Sequence, residues 1–293
     1  MHPVGKGFER QRTLTSWREL SLHAWGRPRD PSVYGMLQVD VSRALGYLAR
    51  LRDVTGEHVT LTHLVGKAVA LAIRERPEVN AVIRAGRRVY LRKDVDVFFQ
   101  VALDGGEDLS GAKVTRADER SLVEIARELS QRAERVRAHA DPTLQRTQSL
   151  LHRMPAVLRG PALRAAELLS YDLDLDLRHL GLPYDQFGSA MVTNVGTFGL
   201  PAGLAPLVPF SRTPIVLTVG TVADEPVAVD GRTVVRPVLP VGVTFDHRLL
   251  DGFAAGKLAR RFMAVVNDPE SELGAVPTAG HAGNGNGGSR RPG

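Results

Sequence analysis

Apolar positions in this chain recur at helical spacing first and at strand spacing later. Between residues 13 and 25, Leu14, Trp17, Leu20, Leu22 and Trp25 predict a short amphipathic helix, and the Pro- and Arg-rich run 26–31 breaks it. Residues 1–32 therefore read as an N-terminal arm. Residues 34–41 read as a strand, after which Leu45, Leu48, Leu51 and Val54 recur at helical spacing until Gly56. A second helix is predicted over 61–76, apolar at Leu61, Leu64, Val65, Ala68, Leu71 and Ala72, with Pro77 just past its end.

Strand signals dominate the next stretch: 81–84, a turn at Gly86, 89–91, and 95–103 ending in Asp-Gly-Gly. A long helix over 121–138 carries Leu122, Ile125, Leu129 and Val136 on one side and charges on the other. Residues 190–195 and 215–222 read as buried strands, and Asp230-Gly231 between two Val-rich runs is a two-residue hairpin signal. A last strand over 240–245 leads to His247, and 253–266 closes the pattern as a helix. Hairpins mixed with crossovers predict an α/β fold, a two-layer sandwich in which helices cover a mixed β-sheet. One main domain over 33–270 is expected. Within it, 143–180 is a Leu-, Arg- and Pro-rich helical stretch, read as an insertion over about 139–187; the Gly-rich residues 271–293 are expected to be a disordered tail.

Composition narrows the function. The chain of 293 residues is 43% hydrophobic and 24% charged, enough to bury a sizeable core. Its apolar runs are far shorter than the ~20 residues of a membrane helix, and no signal-peptide pattern follows Met1, so no membrane and a cytoplasmic location are expected. The net charge of +6 could suit nucleic acid, but acids are interleaved with the basic residues, as in 116–137, and no nucleic-acid partner is expected. Zero cysteines exclude disulfides, thiolate metal sites and a cysteine nucleophile. There is no Gly-x-Ser-x-Gly elbow, P-loop, Rossmann fingerprint or His-Glu-x-x-His, and the nine histidines lack ligand spacing, so no metal is expected.

What remains is the run Val-Gly-Val-Thr-Phe-Asp-His-Arg-Leu-Leu-Asp-Gly at 241–252. It sets His247 where a strand ends, with Asp251 four residues on and Gly252 giving a tight entry into the next helix. A base without a nearby protein nucleophile suits direct transfer between two bound substrates.

Two blocks, Phe-Asp-His-Arg-Leu-Leu-Asp-Gly at 245–252 and Met-Val-Thr-Asn-Val-Gly-Thr-Phe-Gly at 191–199, resemble the catalytic domain of dihydrolipoyl acyltransferases. These are the acyltransferase components of 2-oxo acid dehydrogenase complexes, which share their fold with chloramphenicol acetyltransferase. Similarity extends through 214–220 and the Asp-Gly hairpin, and back to Val39-Asp-Val, Lys67 and Asn80-Ala81, covering most of 33–269.

The resemblance implies that His247 deprotonates the acceptor, which attacks the thioester carbonyl of an acyl-CoA, with acetyl-CoA the expected donor. It puts Thr193 where the family has an oxyanion-binding serine. It gives Asp251 an organising role, through a buried hydrogen bond or a pair with an arginine such as Arg248. Asn194, Arg248 and Gly252 are expected to support the loops, and CoA-contacting positions cannot be carried across. The fold also implies a homotrimer with sites between neighbouring subunits.

This chain departs from the family in two respects. It leaves no room for lipoyl and subunit-binding domains, so no covalently bound lipoyl group is expected, and its polar C-terminus is a poor surface for joining trimers. The leading expectation is thus a stand-alone acyl-CoA-dependent enzyme acting on a hydroxyl or thiol of a small-molecule acceptor, as related proteins do in natural-product pathways such as tetronate biosynthesis. The alternatives are a truncated core component using lipoyl groups and a noncatalytic trimeric scaffold.

Overall fold

Runs rich in Val, Ile and Phe assemble into a seven-stranded sheet whose apolar residues alternate between two differently covered faces. The computed structural model describes residues 30–84, 88–103, 108–137, 155–173, 175 and 184–277. The expected helix at 13–25, the Gly86 turn, the Asp-Gly-Gly turn after Leu103 and the tail from 278 lie outside these residues.

In chain order the elements are β1 (Ser32–Asp40), α1 (Ser42–Thr55), α2 (Leu61–Arg74), β2 (Ala81–Arg84), β3 (Arg88–Leu91), β4 (Val97–Leu103), β5 (Asp108–Val114) and α3 (Leu122–Arg137). There follow α4 (Ala156–Glu167), β6 (Ala190–Asn194), β7 (Ile215–Val219), β8 (Ala223–Val229), β9 (Arg232–Asp246), α5 (Gly252–Asn267) and α6 (Pro269–Leu273). The sheet order is β1-β9-β7-β6-β4-β5, with β8 paired to the first half of β9, while β2 and β3 form a separate hairpin. β4, β6 and β7 are mutually parallel; β9 runs antiparallel to β7 and β1. That reversal decides which end of the sheet each site residue occupies.

On one face Val97, Phe99, Val192, Leu217 and Val241 meet Leu48, Leu64, Ile125 and Phe262 from the helices. Each large side chain buried there contributes on the order of 1.5–3 kcal/mol. Lys67 is buried among them, its ammonium donating to the carbonyl oxygens of Ala117, Asp118 and Arg120 at 3.3, 2.6 and 2.6 Å, which pins the turn before α3. Desolvation lowers its pKa to about 8. On the opposite face Phe98, Met191 and Val216 form a smaller cluster with Phe187, Ala205 and Leu207. The loop leading into β7 crosses this face closely: a Cβ on Gly242 would lie 2.0 Å from the Gly203 carbonyl oxygen.

The predicted elements differ from the structure in three places. β5, Asp-Leu-Ser-Gly-Ala-Lys-Val, carries little β propensity and is assigned no element from the sequence, yet it pairs along its whole length with β4. Gly111 is required there because the Phe98 ring occupies the space of its missing side chain, 2.0 Å from where a Cβ would be. The two strands expected around residues 233–245 are one strand of 15 residues, which pairs first with β8 and then with β1 and β7. The expected tail begins later than residue 271, since α6 runs to Leu273 and Val276 packs against the core. Within the Leu- and Arg-rich segment, α4 and the π-helical turn Leu168–Asp172 are held by Arg212, which pairs with Glu167 at 2.6 Å and Asp172 at 3.5 Å, and by the Tyr171 hydroxyl, which donates to the Ser211 carbonyl at 3.0 Å.

Candidate functional site

β9 ends at Asp246, whose amide donates to the Pro214 carbonyl and whose carbonyl accepts from the amides of Leu249 and Leu250. The chain therefore turns sharply through residues 247–250. The buried Asp246 carboxylate fixes this turn: it accepts from the Arg248 amide at 2.9 Å and takes the Arg248 guanidinium on both oxygens, at 2.6 to 3.2 Å. His247 sits between these paired residues, exposed, with no hydrogen bond to any described residue. Among the described residues, neither ring nitrogen has a partner that would keep it from a substrate.

Arg248 thus pairs with Asp246 and not with Asp251. Asp251 is exposed and caps α5, its carboxylate accepting from the Ala254 amide at 2.8 Å. An aspartate at a helix N-terminus also complements the dipole. Gly252, the first residue of α5, lacks a left-handed φ, and a Cβ there would meet nothing within 4 Å, so its expected role in a tight entry is not required by this chain's backbone. Asp246 was not singled out by sequence; the signal was its place between a strand end and an arginine two residues on, a spacing that a turn converts into a bidentate pair.

Thr193 lies near the C-terminal end of β6, half-buried, its hydroxyl unbonded among the described residues. It faces away from the helices, on the side of Met191. Its neighbour Asn194 faces the helices, where its amide nitrogen donates to the Thr62 hydroxyl at 2.9 Å and its oxygen accepts from the Thr197 amide at 3.2 Å. Asn194 therefore ties the end of β6 to α2 and to the turn that follows.

Within one chain these residues do not meet. Thr193 is opposite Thr218, and Thr218 is opposite Gly242. From Gly242 to Asp246 the strand advances a further ~13 Å, and β6 lies two strand spacings, ~10 Å, from β9. His247 is at the N-terminal end of β6 and β7, Thr193 at their C-terminal end. Among the described residues no three His, Asp or Glu side chains are grouped to hold a metal ion, and no helix is long and apolar enough to cross a membrane.

Comparison with known proteins bears on what such residues do. The catalytic-domain family of 2-oxoacid dehydrogenases acyltransferase matches residues 27–144 and 184–273, leaving out 145–183. The lipoamide acyltransferase component of the branched-chain alpha-keto acid dehydrogenase complex of Bacillus subtilis (strain 168) is 24% identical over 241 residues, covering 80% of this chain and 46% of that protein. The mitochondrial dihydrolipoyllysine-residue succinyltransferase component of the 2-oxoglutarate dehydrogenase complex of Mus musculus is 29% identical over 204 residues, covering 69% of this chain and 36% of that protein. The chain thus spans under half the length of these relatives. Among solved structures, Azotobacter vinelandii dihydrolipoamide acetyltransferase superposes with a TM-score of 0.62 at 20% identity, over 93% of this chain and 98% of that one. The cubic core of the pyruvate dehydrogenase multienzyme complex gives the same TM-score, identity and coverage, which fixes the fold. With this fold and a sequence match over most of its length, the chain belongs to the 2-oxoacid dehydrogenase acyltransferase catalytic-domain family.

Proposed function

We propose that this domain exchanges an acyl group between CoA and a dihydrolipoyl thiol, with His247 as general base and Thr193 as oxyanion donor. The observation that carries the reading is the presentation of His247: a turn clamped by the Asp246–Arg248 pair exposes an imidazole whose nitrogens have no hydrogen bond to any described residue. The imidazole takes the proton of the acceptor thiol as its sulfur bonds to the thioester carbonyl carbon. The Thr193 hydroxyl donates to the resulting oxyanion. As the intermediate collapses, the bond from that carbon to the CoA sulfur breaks and the departing thiolate takes the proton from the imidazolium.

The separation of Thr193 from His247 supports a site completed by a second copy of the chain, as in a cyclic trimer. The face that carries Thr193 also exposes apolar side chains: Met36 pairs with Gly242 and is 41% exposed, and Leu204, which lies over Gly242, is 47% exposed. A neighbouring copy would cover them. The A. vinelandii work concerned a serine, a histidine and an asparagine, the last two four positions apart as His247 and Asp251 are here.

A second reading, a direct small-molecule acceptor, draws support from the segment 145–183 that the family match omits. The test serves both readings: acetyl-CoA is supplied with dihydrolipoamide or with simple alcohols, and the acetylated product is separated by chromatography. Acetyl-dihydrolipoamide is the expected product, and His247→Ala is expected to lose about 10²- to 10⁴-fold in kcat. An unimpaired His247→Ala enzyme would refute the mechanism, and acetylation of alcohols alone would select the second reading.

A further inference from the structure

The residue opposite Thr193 in the parallel ladder of β4 and β6 is Gln100. Neighbouring strands lie ~4.8 Å apart, and paired positions point to the same face, so the two side chains leave the sheet side by side on the face away from the helices. Two residues earlier on each strand, Phe98, Met191 and Val216 are buried at 7%, 8% and 4% exposure. The row Gln100, Thr193, Thr218 is thus where this face changes from apolar to polar. Thr218 has its hydroxyl committed to the Gly203 carbonyl. Thr193 and Gln100 have no side-chain hydrogen bond to any described residue, although both are half-buried.

On its other side Gln100 faces Gly111, and the Phe98 ring fills the space above that glycine. Of the two residues directly opposite Gln100 in the sheet, the polar one is therefore Thr193. The half-buried Gln100 amide, without a side-chain partner among the described residues, is open to a bond with substrate. An oxyanion has room for more than one donor, and a lone threonine supplies one.

We infer that Gln100 is a second hydrogen-bond donor to the reacting carbonyl, its amide N–H acting beside the Thr193 hydroxyl on the developing oxyanion. The inference rests on the acyl-transfer reading above, and the two can fail separately.

The full chain is assayed with acetyl-CoA and dihydrolipoamide, for the parent, Thr193→Val, Gln100→Met and Gln100→Glu, with a melting curve for each. Gln100→Met keeps the length of the side chain without a donor, and Gln100→Glu replaces the donor with a like charge. The expected result is a fall in kcat of about 10²-fold for Gln100→Met with KM for acetyl-CoA little changed, and a larger fall for Gln100→Glu. Gln100→Glu also supplies the answer should Gln100→Met not fold. A parent-like kcat in either folded Gln100 variant, or a loss confined to KM, overturns the role of Gln100 while leaving the acyl-transfer reading standing. A fully active Thr193→Val instead removes the oxyanion site itself, and Gln100 with it.

Discussion

Two histidines of this chain sit in different environments, His247 exposed on a turn and His63 half-buried in the first turn of α2. The Nδ1 of His63 accepts from the Thr60 amide at 3.1 Å, completing a capping box with the Thr60 side chain. Desolvation, assisted by the charge of His58, lowers its pKa from 6.5 to about 4. Above pH 6.5 native and unfolded chains both carry the neutral ring. As pH falls from 6.5 towards 4, the unfolded chain binds a proton that the native chain does not, so stability is lost through that window, by roughly 2–3 kcal/mol if the shift is fully expressed. His63→Gln retains an acceptor for the Thr60 amide, and thermal melts between pH 4.5 and 7 should show it losing less stability on acidification than the parent. Equal losses would place the acid sensitivity elsewhere. His247, by contrast, was legible in the sequence because its motif survives intact, whereas His63 was not, since nothing in residue spacing reports desolvation. The partner of Arg248 was equally hidden: Asp246 and Asp251 are both near it in sequence, and only the turn at 247–250 decides for Asp246.

At the scale of elements, Asp251 joins the His247 turn to α5. Its carboxylate caps the helix that follows directly on that turn, so Asp251→Ala should cost about 1 kcal/mol of stability, and Asp251→Asn, which can cap as well, only a fraction of that. Denaturant unfolding of the two variants distinguishes this from a purely catalytic role, in which both would melt like the parent. Helices α1, α2, α3 and α5 were legible because one-sided burial imposes a period on the sequence, and strands β4, β6 and β7 because burial on both faces leaves short continuous apolar runs. β5 was not, because its place in the sheet depends on Gly111 making room for a ring from the neighbouring strand. The continuity of β9 was hidden by Pro237 and Pro240, which usually interrupt a strand; here their carbonyls still accept from Val41 and Gly220.

At the scale of the molecule, the parallel run of β6 and β7 and the reversed run of β9 put Thr193 and His247, the proposed oxyanion donor and base, at opposite ends of one sheet. The resemblance assigns both residues to one site without showing that a single chain separates them, because strand direction is a property of topology. The central claim is that one copy's His247 acts with another copy's Thr193. It is tested most directly by co-folding equal amounts of His247→Ala and Thr193→Val chains and measuring acetyl transfer from acetyl-CoA to dihydrolipoamide. Random assembly in a cyclic oligomer leaves about a quarter of the sites with both groups intact, so the mixture should recover about a quarter of the parent rate while each variant alone stays nearly inactive. A mixture no more active than its two components would contradict the shared site.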